Sequence, residues 1–258
     1  MWVTVGGRQY RDGELGIDEL VARLGEGVST SGPAPGDIAK AAAEADQGDG
    51  VVVLTISQRM SSVYQAAGVA AKILEGEKVS VVDTGTAAGA EGLVVLAASK
   101  AARQGRPLDE VVAAANVALR STKLVATLPS LAHLARSGRV PGAAAWGAQW
   151  LGLSPLFEFR SGRVWPLRPA RGLRSATQRM VSEVAREARR QDGAHLHVAA
   201  LHALEPGMAA ALVDQVSGRV PLASSFLGSF TAVMVAHTGP GLLGLAWRWE
   251  QPGSEQVP

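Results

Sequence analysis

The chain has 258 residues, 47% hydrophobic and 19% charged side chains, no cysteine and a formal net charge of +2. This composition excludes disulfides, thiolate metal ligands and a cysteine nucleophile, and it is too apolar for a disordered or fibrous chain. The length exceeds what one hydrophobic core usually holds, so two domains are expected, and the charge is uneven between them. Residues 1–120 carry 11 Lys and Arg against 15 Asp and Glu, and the remainder carries 14 against 8, which makes the second half the basic one.

Met1 to Gly7 shows no basic region followed by an apolar run, so no secretory signal is read and a cytoplasmic location is expected. The apolar run Val51–Ile56 reads as a buried strand, followed by a helix over Ser61–Leu74 with apolar residues at helical spacing. Val79–Val82 repeats the pattern, stops at Asp83-Thr84-Gly85, and leads into helical sequence from Glu91 to Arg103. Pro107 opens a further helix through Arg120. Apolar strands alternating with helices indicate a parallel sheet covered on both faces.

After about residue 121 alternation replaces the apolar runs. Pro129–Ala135 reads as a short helix closed by Gly138, and Leu156–Leu167 as a hairpin turning at Ser161-Gly162. A long basic helix, Leu173–Gln191, precedes strands expected at His195–Leu201, Thr231–Ala236 and Leu243–Trp249. The expected fold is therefore α/β, with a parallel-sheet three-layer domain over residues 1–120, a smaller mixed-sheet domain over 121–250, and a loose tail over 251–258. Val140–Phe157 and Val220–Trp247 lack charge but are interrupted by glycines, prolines or polar residues, so neither reads as a membrane span.

Gly239-Pro-Gly-Leu-Leu-Gly244 has the glycine spacing of a dinucleotide-binding turn. Only a short tail follows, and no acidic residue stands at the ribose-binding distance, so that reading fails. The turn remains either structural or ligand-facing, with Gly239 at its start. His237, just before it, is a structural histidine or a donor to an anion. His195, His197 and His202 raise a metal site, which the lack of neighbouring carboxylates or cysteines disfavours.

Ser57 and Ser61 follow a buried strand at the start of a helix, and Thr30 and Ser31 precede another. Such hydroxyls cap free backbone amides, and the same places attract anions. Between Arg160 and Arg190 stand nine arginines and two acids. They form either a solvated face or a docking face for an acidic partner or phosphate; nucleic acid is disfavoured, since no reading motif accompanies the charge. No phosphate-binding loop, nucleophile elbow or zinc-protease motif supports an autonomous hydrolase or ATPase, and no cofactor is indicated.

The ordered set Tyr10-Arg-Asp-Gly13, Thr30-Ser-Gly-Pro-Ala-Pro35, Thr55-Ile-Ser-Gln-Arg-Met-Ser-Ser-Val-Tyr64, Val79-Ser-Val-Val-Asp-Thr84, Ser137-Gly-Arg-Val140, Pro166 to Arg171 and His237-Thr-Gly-Pro-Gly241 resembles the DegV family through nearly the whole chain. The resemblance implies a non-catalytic protein that holds a long-chain fatty acid between two domains. It also implies a partner: a bacterial fatty acid kinase whose separate catalytic subunit phosphorylates the carboxyl group with ATP. On the matching blocks Thr30, Ser57 and His237 would hold the carboxylate, with Arg139 and Arg171 at the rim or on the acyl phosphate. Three departures stand out: the family's usual first strand is not seen, Gly32 replaces a glutamine, and Gln58-Arg59-Met60 replaces a Ser-containing run. The missing strand implies a gap or altered pairing beside the first strand seen here. Two other readings are a phosphotransferase resembling the dihydroxyacetone kinases and an interaction module that has lost its ligand.

Overall fold

The computed structural model describes residues 1–74, 78–140, 142–143, 145 and 152–252. Most of the expected tail, from residue 253, and most of the charge-free stretch between 141 and 151 lie outside the described residues.

The chain opens with β1 (Trp2–Val5), β2 (Arg8–Arg11), α1 (Ile17–Ala22) and β3 (Val28–Ser31). β1 is the central strand of a three-stranded antiparallel sheet, flanked by β2 and β3. Gly6 and Gly7 both take positive φ, which lets a two-residue turn follow the strand twist between β1 and β2. Both edges of β1 are therefore occupied, so of the gap or altered pairing expected beside it the gap is not there.

Next come α2 (Pro35–Ala45), β4 (Val51–Thr55), α3 (Val63–Ile73), β5 (Val79–Asp83), α4 (Ala88–Arg103) and α5 (Leu108–Ser121). β4 and β5 pair in parallel with α3 as their crossover, which matches the strand–helix–strand pattern of the sequence.

The remaining strands form one six-stranded sheet in the order β10-β9-β11-β6-β7-β8: β6 (Thr122–Thr127), β7 (Ser154–Arg160), β8 (Arg163–Ala170), β9 (His195–His202), β10 (Ser224–Ser229) and β11 (Leu243–Glu250). Only β9 and β10 pair in parallel, so the sheet is mixed as expected. The β7–β8 hairpin turns at Ser161 and Gly162, both with positive φ. The helices of this part are α6 (Ala132–Arg136), α7 (Leu173–Ala188), α8 (Pro206–Ser217) and α9 (Ala232–Thr238).

One expectation is corrected and one element is new. The strand expected at Thr231–Ala236 is the helix α9, with Thr231 as its N-cap residue. A short apolar run fits either element, and here a remote cap decides: the Thr231 hydroxyl donates to Asp12 Oδ2 at 2.9 Å. The edge strand β10 was not foreseen, because Ser224, Ser225 and Ser229 give it little strand character.

Side-chain alternation divides the six-stranded sheet into two faces. Leu124, Ala126, Phe157, Ala199 and Ala246 point to one face, which α4 covers at its centre. Val125, Leu156, Val198, Leu245 and Trp247 point to the other, beneath α7 and α8. α4 approaches closely: a Cβ on Gly89 would lie 2.9 Å from Ala199 Cβ and from Leu201 Cδ1. On the α4 side one apolar cluster joins Val3, Val5, Leu15 and Leu20 to Leu128, Phe157 and Val233. Strands β1–β5 and strands β6–β11 thus lie in separate sheets, while this apolar cluster joins residues from both parts. Among the described residues no helix is long and apolar enough to cross a membrane.

Candidate functional site

Thr30 lies on β3 and His237 in the last turn of α9, and their side chains meet: Thr30 Oγ1 is 2.7 Å from His237 Nε2. The strand half of the contact is set by pairing, since Thr30 faces Val3 on β1, whose side chain is fully buried. The helix half is set by Asp12. Besides accepting from Thr231, the Asp12 carboxylate lies 3.5 Å from the Val233 amide and so occupies the positive end of α9. A carboxylate from the β2–α1 connection therefore orients the helix that carries His237. Sequence reasoning noted Asp12 only as part of a matching block, and no local signal reveals a cap whose partner is 219 residues away.

His237 is half-buried. Burial first, and the Arg139 charge second, push its imidazole down to about 4, so it is neutral at physiological pH. Arg139 is exposed and follows α6; its guanidinium donates to Ser137 O at 2.8 Å. It is thus within electrostatic reach of His237 without touching it through a hydrogen bond. The hydrogen bond between Thr30 and His237 uses one donor, so this neutral imidazole and hydroxyl at the edge of an apolar cluster leave one N–H or O–H for an anion, and a second becomes available only if the pair parts, without burying a full countercharge.

The other expected residues are placed differently. Ser31 is exposed and, one residue on from Thr30 in the strand, points to the opposite side. Neither Thr30 nor Ser31 caps α2, whose N-cap residue is Ala34. Ser57 is fully buried but lies in the turn before α3 rather than at its cap. Its hydroxyl donates to Gly162 O at 3.1 Å, in the β7–β8 hairpin turn, and accepts from the Arg59 amide at 3.3 Å. Ser61 behaves as a cap, accepting from the Val63 amide at 3.3 Å. Arg171 is exposed between β8 and α7 and makes no hydrogen bond or ion pair among the described residues.

Gly239 ends α9 with φ 73°, and its amide donates to Val235 O at 2.8 Å. Close approach is real here, but the approaching atoms belong to the protein. A Cβ on Gly239 would meet His133 Cδ2 at 2.6 Å, and one on Gly241 would meet Pro129 Cγ at 2.6 Å. The Gly239 and Gly241 amides are thus both used inside the chain, donating to Val235 O and Ala203 O.

The departures noted in the sequence fall close by. A Cβ on Gly32 would lie 3.7 Å from Ser62 Oγ and from Val63 Cγ2, so the end of β3 abuts the start of α3. Arg59 leans on the hairpin, with its Cδ 3.2 Å from where a Cβ on Gly162 would stand. His197, one of the histidines weighed as metal ligands, instead sits 2.7 Å from Ser224 Oγ and 2.8 Å from Glu250 Oε2. No cluster of potential metal ligands occurs among the described residues.

Residues 1–250 match the family model described as "Uncharacterised protein, DegV family". A DegV domain-containing protein of Streptomyces coelicolor is 37% identical over 249 residues, covering 94% of this chain and 87% of that protein. One of Mycobacterium tuberculosis is 32% identical over 251 residues, covering 94% and 86%. Among solved structures, a DegV family protein from Thermus thermophilus, described as fatty-acid binding, superposes with a TM-score of 0.87 at 30% identity, covering 96% of this chain and 90% of that one. A DegV family protein from Corynebacterium glutamicum gives a TM-score of 0.76 at 28% identity, covering 86% and 85%. The chain is a member of the DegV family.

Proposed function

We propose that this protein is a non-catalytic carrier of a long-chain fatty acid, whose carboxylate is received by Thr30 and His237, with Ser57, in the turn that follows β4, as a third head-group residue. The observation that carries the reading is the 2.7 Å meeting of Thr30 Oγ1 and His237 Nε2 beside the apolar cluster. Fatty-acid binding by the similar Thermus thermophilus protein supports it. A buried chain of roughly fifteen methylenes at about 0.8 kcal/mol each contributes on the order of 12 kcal/mol before ordering costs. An unpaired buried carboxylate costs several kcal/mol, so the head group needs donors. Thr30 O–H and His237 Nε2–H turned outward would supply two, and Arg139 would add positive potential from the rim.

In this reading residues 1–120 and 121–250 form two domains with the lipid between them. The partner is the ATP-dependent catalytic subunit of a fatty acid kinase, in the cytoplasm of a bacterium. The nine arginines between Arg160 and Arg190 are all exposed, which suits a face that docks an acidic partner.

Titration of delipidated protein with a fluorescent long-chain fatty acid tests the head-group assignment. Saturable binding that is weakened by Thr30→Val and by His237→Ala supports it. Binding indifferent to both changes refutes it.

A further inference from the structure

A pocket of about 280 Å³ lies on the face of the six-stranded sheet away from the Thr30–His237 pair, between α7 and strands β6, β7, β8 and β11. Strand alternation separates it from the Thr30–His237 site. Its base is formed by Val125, Leu156, Met180 and Trp247, whereas Leu124, Ala126 and Phe157 on the same strands point the opposite way.

The charges at its mouth do not cancel. Three acids beside it have cations of their own: Glu187 pairs with Lys123, Glu183 with Arg186, and Glu158 with Arg160. Arg168 and Arg179 also line the mouth, and neither is paired with a carboxylate among the described residues. Arg179 donates to the main-chain oxygens of Arg168 and Pro169, which fixes its guanidinium without neutralising it. Trp247 is held in place behind the base by an N–H···O bond of 2.9 Å to Glu187.

An apolar base under two uncompensated guanidinium groups selects an amphipathic anion. Guanidinium binds carboxylate, sulfonate or phosphate oxygens in a fork, which an ammonium group does not. At about 280 Å³ the pocket lies near the lower end of the range for small-molecule sites, enough for one or two fused rings. We infer that this pocket is a binding site for a small organic anion with a flat apolar body, its acidic group on Arg168 and Arg179 and its ring on Val125, Leu156 and Met180. The site uses none of the head-group residues and accepts its ligand whether or not a lipid occupies the other face, although Arg168 and Arg179 also belong to the arginine-rich face proposed to dock the partner.

The test is calorimetric titration of the full chain, carrying whatever lipid it retains on purification, with naphthalene-2-carboxylate at neutral pH and low salt. Saturable binding of one probe per chain is expected, weakened about tenfold or more by Arg168→Glu, an exposed change of charge sign. Leu167→Trp, which fills the pocket from β8, is expected to abolish it, and Thr30→Val to leave it unchanged. Should Leu167→Trp fail to fold, Arg168→Glu alone decides. Absence of saturable binding, or binding indifferent to Arg168→Glu, overturns the inference. So does binding lost in Thr30→Val, which would place the probe in the head-group site.

Discussion

The Asp12 carboxylate accepts a hydrogen bond from the Thr231 hydroxyl at 2.9 Å and so ties the second strand of the chain to the start of the helix that ends in His237. This contact determines where the imidazole stands relative to Thr30. Asp12→Ala removes a cap and is expected to cost about 1 kcal/mol of stability. Its effect on fatty-acid affinity should exceed that of a cap elsewhere, because the helix carrying His237 is freed from β1 and β3. Urea unfolding and lipid titration of the same variant check the two halves of this prediction.

His237 gives the fold a pH dependence of known sign. Its imidazole is held near 4 in the folded protein, below the ordinary value of 6.5. The unfolded chain therefore binds the proton more readily between those limits, and stability rises with pH there. The contribution is fully present above 6.5 and is lost as pH falls through 6.5 toward 4. Thermal melting of wild-type protein and His237→Asn across this window should show a steeper decline for the wild type on acidification; parallel curves would contradict the assignment.

Glu91 acts in the opposite sense. Burial first, and the neighbouring Asp83 second, push its carboxyl up to about 7. Its stabilising protonation is complete below the ordinary carboxylate value of 4.5 and is lost as pH rises from there through 7. Glu91→Gln, which is neutral at every pH, is expected to gain on the order of 2 kcal/mol relative to wild type on going from mildly acidic to mildly alkaline solution. Denaturant midpoints for both proteins at the two ends of that range provide the check.

The face of α4 that meets the six-stranded sheet is built on absence of side chain. A Cβ at Gly89 would stand 2.9 Å from Ala199 Cβ, and one at Gly92 would stand 2.9 Å from Phe226 Cζ. Gly89→Val is expected to destabilise by about 1–3 kcal/mol through overpacking, whereas Gly68→Ala in α3, where a Cβ meets nothing within 4 Å, should be neutral or stabilising. Comparing the melting temperatures of these two variants separates packing from helix propensity.

Much of this architecture was legible because the sequence repeats local signals. Val51–Ile56 and Val79–Val82 are apolar runs between helical stretches, and they pair in parallel as such runs do. Ser161-Gly162 marked the hairpin turn, and the glycine-rich segment 239–244 leads from α9 into β11, the reverse of a strand-to-helix turn. The misreadings have a common cause in remote contacts. Thr231–Ala236 is helical under a cap supplied by Asp12, and Thr30 belongs to a strand because β1 pairs with it. Ser57 turns its hydroxyl to Gly162. In each case the residue was identified while its partner, far away in sequence, was not.

Native mass spectrometry of the protein purified from bacteria without any delipidation step tests the central proposal most directly. The account predicts a mass exceeding that of the chain by one long-chain fatty acid, and predicts that this adduct is depleted in Thr30→Val and His237→Ala. A ligand-free mass for the wild-type protein, or an adduct retained unchanged in both variants, would contradict it.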